Sequence, residues 1–192
     1  MKSISKKKKR RARSAPISFA ADELRALLTA ARAESFRDWL MFLVGYWHGL
    51  RVSEILGLRK GDVGGGFLTV QRLKGSLKTR QELMADPDPL FNELAGIAAY
   101  TRNLRQWDKL FPINRMMAHR LIRYYGEKAT IPTHKLHMHT LKSTCGMYFV
   151  PQIGLEFTRQ RLGHADIRST QQYARVTDEQ TDVAIKKALE KP

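Results

Sequence analysis

Residues 35–49, SFRDWLMFLVGYWHG, put apolar side chains on nearly every side of a helix. A helix at a protein surface shows one apolar stripe, whereas one that is apolar all round needs packing partners on every face. This segment therefore predicts the centre of a folded core, with Trp39, Phe42, Tyr46 and Trp47 as core side chains rather than a platform for stacking bases. Residues 20–33 (AADELRALLTAARA) repeat apolar positions at helical spacing and precede it. Asp22 and Glu23 fall in the first turn, where the helix dipole favours acids. The apolar run stops at Arg51, and a short helix, VSEILG, follows and ends at Gly57.

The pattern then changes. FLTVQR alternates as a strand does, and a Gly-Ser turn in LKGSLKT leads to a second strand around residues 79–84, so 67–84 reads as a β-hairpin. The glycines at 64–66 are no nucleotide loop, because no Gly-Lys-Ser/Thr follows and a strand rather than a helix comes next. Pro87 and Pro89 precede a helix near 89–100, and further helices are expected at 114–127, 139–149, 154–163 and 166–176. Thr177 with Gln180 forms a capping box for a last helix, about 178–190, whose Ala184, Ile185, Ala188 and Leu189 make an apolar stripe. The fold class is mainly α with a small antiparallel β-hairpin or sheet (α+β). A single domain occupies 17–192 behind a disordered basic arm at 1–16.

Charge narrows the function. Thirty-four Lys and Arg against eighteen Asp and Glu give +16 over 192 residues. Eight of those basic residues, and no acid, lie in the first thirteen positions, so the domain itself carries the other +8. A surplus shared by arm and domain points to nucleic acid, through phosphate neutralisation and counterion release. The arm has no hydrophobic face to insert into anionic membrane, and no apolar run is long enough to span one. KKKKRR would serve a nuclear import signal or a DNA-contacting arm equally well. One cysteine, Cys145, excludes an internal disulfide framework and suits a reducing compartment. His134, His137, His139 and Cys145 match no structural zinc spacing, so no metal site is expected.

Six polar residues stand where local structure gives them no duty. Arg51 ends the apolar run, and Lys74 sits at the hairpin tip. His139 and Lys142 share a helix face at i and i+3. His164 opens the turn before RLGHADIRSTQQY closes on Tyr173, nine positions later. Tyr173 lies on a polar segment beside Gln171, Gln172 and Arg175. Its hydroxyl is expected to serve either solvent or a reaction. These cations, imidazoles and a phenol make a poor metal site and a good phosphodiester site.

In this order the segments resemble the tyrosine recombinases, the phage integrase family. GLRVSEILGLRKGDV resembles the family's first arginine box, LKGSLKT its hairpin lysine, HTLKST its H-x-x-R box and LGHADIRSTQQYA its final LGH…Y box. The resemblance covers about residues 20–180. It implies that Tyr173 attacks the scissile phosphate to give a 3′-phosphotyrosyl link, with His139 as base. Arg51, Lys142 and His164 would bind the non-bridging oxygens, and Lys74 would protonate the leaving 5′-oxygen. Lys78 competes with Lys74 for that role, and Glu54 would orient Arg51. No cofactor is implied. Lys7, Lys8, Lys9, Arg10, Arg11, Lys78, Arg159, Arg161 and Arg168 are the expected DNA contacts.

Two departures stand out. Lys142 occupies the place of an arginine, and lysine lacks the planar fork of a guanidinium. Where most of the family carries a helical DNA-clamping domain, only the basic arm stands before residue 17 in this sequence, a pattern that resembles the short recombinases that invert promoter segments in bacteria. The resemblance further implies double-stranded DNA as substrate and a dimer to tetramer on DNA through the C-terminal helix. Accessory DNA-bending proteins are candidate partners, and the expected setting is a bacterial or phage cytoplasm, at the nucleoid. The alternatives are a noncatalytic DNA-binding or regulatory protein with a degenerate site, and relaxation of supercoils by the same tyrosine chemistry.

Overall fold

The computed structural model describes residues 16–72 and 78–174. The arm through residue 15, Lys74 and the expected helix at 178–190 lie outside the described residues. Helix α1 (Ala21–Glu34) is amphipathic, and the Glu23 carboxylate accepts the Ala20 N–H at 2.7 Å, capping its first turn. Ser35 caps α2 (Phe36–Trp47) by accepting the Asp38 N–H at 3.3 Å. Every residue of α2 from Asp38 to Trp47 is buried, as its all-round apolar character demands, and the helix packs against α1, α4 (Glu93–Tyr100) and α6 (Met138–Ile153). The indole N–H groups of Trp39 and Trp47 donate to the carbonyls of Leu90 and Phe91, so the two largest core side chains also pin the approach to α4.

Gly49 turns the chain out of α2 with φ 55°, and a Cβ there would meet a Leu162 methyl at 2.3 Å. Both facts require glycine, and the turn delivers Arg51 to the start of α3 (Val52–Ile55). The sheet has three antiparallel strands, β1 (Val63–Gly64), β2 (Phe67–Val70) and β3 (Thr79–Glu82), one more than the alternation predicts. The extra strand comes from the glycine run. Gly64 pairs with Phe67 across the two residues Gly65 and Gly66, with φ 58° and 80°, as a tight right-twisted hairpin turn requires.

The helix expected from residue 89 begins at Glu93. Asp86, Asp88 and Asn92 use their side chains to bond nearby backbone N–H and C=O groups, which holds 86–92 in turns. Helix α5 (Arg115–Lys128), capped by Asn114, matches expectation, as does α7 (Leu155–Leu162), which Gly163 ends in the left-handed conformation. Helix α6 runs four residues past the expected end, with Pro151 in its last turn. The last described helix, α8, is shorter than the sequence suggests, only Arg168–Gln171, and Tyr173 sits in the turn that follows.

Candidate active site

Four short stretches meet beside the core: the turn 48–51 after α2, the end of β2 at Arg72, the start of α6, and the turn 161–164 with α8. Their charged side chains act on one another. His139 feels the positive charges of Lys142 and Arg51, and His164 feels those two together with Arg72. Arg51 also acts on Tyr173. Arg51, His139, Lys142, His164 and Tyr173 thus fall within one electrostatic cluster.

Glu54 anchors the cluster from below. It is buried, and one helical turn of α3 brings it back to the residue that starts that helix. Its Oε2 accepts the Arg51 backbone N–H at 2.8 Å, and its Oε1 accepts from Arg51 Nη1 at 2.9 Å. The same Oε2 accepts from Arg72 Nη1 at 3.2 Å. One carboxylate therefore stands between two guanidinium groups, an arrangement that fixes planar side chains by charge-assisted bonds.

Tyr173 corrects the expectation drawn from its polar neighbours in sequence. It is only 3% exposed, and its ring packs over the gap left by Gly146 on α6. Its apolar partners come from a helix far away in the chain. Burial raises the phenol pKa; the Ser143 hydroxyl, and more weakly the Arg51 charge, work in the opposite direction. A buried tyrosine needs such partners to lose its proton.

The two histidines carry lowered pKa values, first through desolvation and then through the surrounding cations. His164 falls to about 4, so both rings are neutral at pH 7. The buried Nδ1 of His164 lies 2.9 Å from Thr170 Oγ1. With the threonine hydroxyl donating there, Nε2–H is left as a hydrogen-bond donor. Arg159 Nη1 donates to the His164 carbonyl at 2.8 Å while its guanidinium pairs with Glu156.

Lys142 is 1% exposed, and its Nζ donates to the carbonyls of Gly49 and Leu162, each at 2.7 Å. Desolvation, reinforced by Arg72, brings its pKa down to about 7. Arg161 turns inward rather than toward a DNA surface. Its Nε donates to the Trp47 carbonyl at 2.7 Å, and its guanidinium lies over the Phe149 ring. Lys78 and Arg168 are exposed, as are His134 and His137.

Several supporting residues escape the sequence reading. His48 is buried with Nδ1 2.8 Å from Gln81 Oε1 and Nε2 2.8 Å from Glu93 Oε1, which ties the turn before Arg51 to β3 and α4. Arg72 is the larger omission. The alternation of β2 buries Leu68 and Val70, and the same period continued past the strand's end buries Arg72, so an inward arginine was readable from the period alone.

The fold is that of a tyrosine recombinase catalytic domain. A crystal structure of XerA recombinase superposes with a TM-score of 0.71 at 24% identity, covering 97% of this chain and 67% of that one. A lambda integrase dimer bound to a COC′ core site gives 0.69 at 18% identity, over 88% of this chain and 51% of that one. The chain belongs to the phage integrase family, whose model matches residues 17–180. Tyrosine recombinase XerA of Pyrococcus furiosus is 29% identical over 186 residues, covering 90% of this chain. Type 1 fimbriae regulatory protein FimE of Escherichia coli K12 is 30% identical over 169 residues, covering 79% of this chain. The chain spans 62% of the length of that XerA and 81% of that FimE.

Proposed function

We propose that this protein is a site-specific DNA recombinase that cuts and rejoins DNA through a 3′-phosphotyrosyl intermediate. The observation that supports the reading is the electrostatic cluster that His139, Lys142 and His164 form with Arg51, whose charge also acts on the buried Tyr173. The Tyr173 oxygen forms a bond to the scissile phosphorus while the bond from phosphorus to the 5′-oxygen breaks. The phenolic proton passes to His139, neutral at pH 7 and so able to accept it. Lys74 gives a proton to the departing 5′-oxygen. Arg51 and His164 Nε2–H bind the non-bridging oxygens, where negative charge builds in the transition state. Attack by a partner strand's 5′-hydroxyl reverses the step and completes exchange.

Double-stranded DNA is the substrate, and the XerH and lambda integrase relatives of known structure are bound to DNA, the latter as a dimer or a tetramer. Assembly of this chain on DNA through residues 178–190 belongs to the same proposal, as does contact between the basic arm and phosphates. Accessory DNA-bending proteins and a cytoplasmic, nucleoid setting fit it. Among the described residues no helix is long and apolar enough to cross a membrane.

The burial of Lys142 favours a second reading, a regulatory DNA-binding protein that keeps the fold and has lost the chemistry. One experiment separates the two. The full chain is incubated with short nicked duplexes tiling the DNA on either side of its own gene. A protease-sensitive covalent adduct that Tyr173→Phe abolishes is the expected result. Binding without any adduct overturns the recombinase reading in favour of the second.

A further inference from the structure

We propose that Arg72 and Lys142 act together as a positioning pair, two buried cations that staple the turn leading into Arg51 to the turn leading into His164. The inference rests on the recombinase reading. The first turn presents the carbonyls of His48 and Gly49, and the second those of Arg161 and Leu162. Arg72 Nη2 donates to His48 O at 3.0 Å and to Arg161 O at 2.7 Å, and its Nη1 reaches Gly49 O at 3.3 Å. Lys142 Nζ donates to Gly49 O and Leu162 O, both at 2.7 Å. Each cation spans both turns, and the two meet at the Gly49 carbonyl.

The remaining bonds show why Arg72 is a support rather than a phosphate contact. Arg72 Nε donates to Thr79 Oγ1 at 3.1 Å and Nη1 also donates to Glu54, so all five of its N–H donors have acceptors inside the protein. Glu54 supplies the counter-charge and grips Arg51 with the same carboxylate. A Cβ on Gly163 would lie 2.8 Å from Arg72 Nε, so the glycine before His164 leaves room for the arginine to pass beneath the second turn. The lysine at the arginine position of the family box thus has a use of its own. A single ammonium fits between two carbonyls, while the guanidinium that does the wider bridging arrives from β2.

The staple makes the two cations interdependent, because either one alone leaves a turn half tied. Arg72→Met, Lys142→Met and the double variant are compared by adduct rate at saturating nicked DNA, by the DNA concentration giving half that rate, and by amide hydrogen exchange at 48–51 and 161–164 without DNA. Each single change is expected to slow the adduct roughly a hundredfold with the half-saturating concentration little altered. The double variant should be no slower than the worse single. Either single change should also release protection in both turns at once, a readout independent of cleavage. Multiplicative losses, a defect confined to half-saturation, or loss of protection only in the turn nearer the substitution would each overturn the proposal. Where a methionine variant does not fold, the same cycle with Arg72→Lys and Lys142→Gln answers the question. Absence of adduct in the wild-type chain would overturn the recombinase reading alone, and the exchange data would still decide the staple.

Discussion

The ring of Tyr173 lies against Gly146 with no room for a methyl group between them. A Cβ on Gly146 would fall 2.8 Å from both Cδ2 and Cε2 of that ring. The glycine lies inside α6, where alanine is the better helix former by about 1 kcal/mol. Gly146→Ala is therefore expected to leave the helix intact and push the phenol aside. Overpacking of this kind costs about 1–3 kcal/mol; if that cost falls on the reactive position of the ring, adduct formation should drop by about fivefold or more while DNA binding persists. Comparing adduct rate with binding in a gel-shift assay checks this, and unchanged cleavage would show that the ring position is not set by Gly146.

Glu54 is buried between Arg51 and Arg72, and Glu54→Gln removes the negative charge that both guanidiniums face. Breaking a buried pair by neutralising one partner costs about 3–5 kcal/mol, since the surviving buried charge loses its compensation. A fall of that order in unfolding free energy is expected from urea titration. The defect should be larger in stability than Arg51→Gln, whose guanidinium is partly exposed. Equal losses in the two variants would contradict the central role given to the Arg72–Glu54 contact.

His164 ties stability to acid. Its pKa falls from 6.5 to about 4 on folding, so between those values the unfolded chain holds a proton that the folded chain does not. Stability is expected to decline as pH drops through that window, by on the order of 3 kcal/mol for this group. His164→Asn should flatten the decline. Urea midpoints measured from neutral pH to about pH 4 in both proteins provide the check. An identical slope would assign the acid sensitivity to other groups.

Much of this architecture was readable in the sequence because it rests on local periodicity. The all-apolar α2, the amphipathic α1 and the helices around His139 and His164 all announce themselves over one or two turns. The burial of Tyr173 did not, since the glycine that receives its ring lies 27 positions earlier in the chain. Arg72 was legible in principle from the alternation of β2, but its partners at 48–49 and 161 are set by tertiary packing. The Gly64–Gly66 run was read for what it is not, while its two left-handed residues define a hairpin turn. Sequence pattern thus located the boxes, and long-range packing decided which side chains hold the frame.

Lys142 should also couple proton uptake to DNA binding. In the folded chain it is surrounded by Arg72, Arg51, Glu54 and Cys145, with His139 and His164 nearby, and desolvation lowers its pKa from 10.5 to about 7. Between those values the unfolded state binds the extra proton, so stability is expected to rise with pH from about 7 toward about 10.5. A DNA phosphate arriving among these cations brings negative charge and favours the protonated amine. Binding at about pH 8 should then take up protons, and affinity should weaken as pH rises. Calorimetry of Tyr173→Phe with nicked duplex, in buffers of differing ionisation enthalpy, measures that uptake without cleavage. Lys142→Met in the same background should abolish most of it. Equal uptake in the two proteins would place the titrating group elsewhere, with His139 the next candidate because its lowered pKa would rise beside the same phosphate.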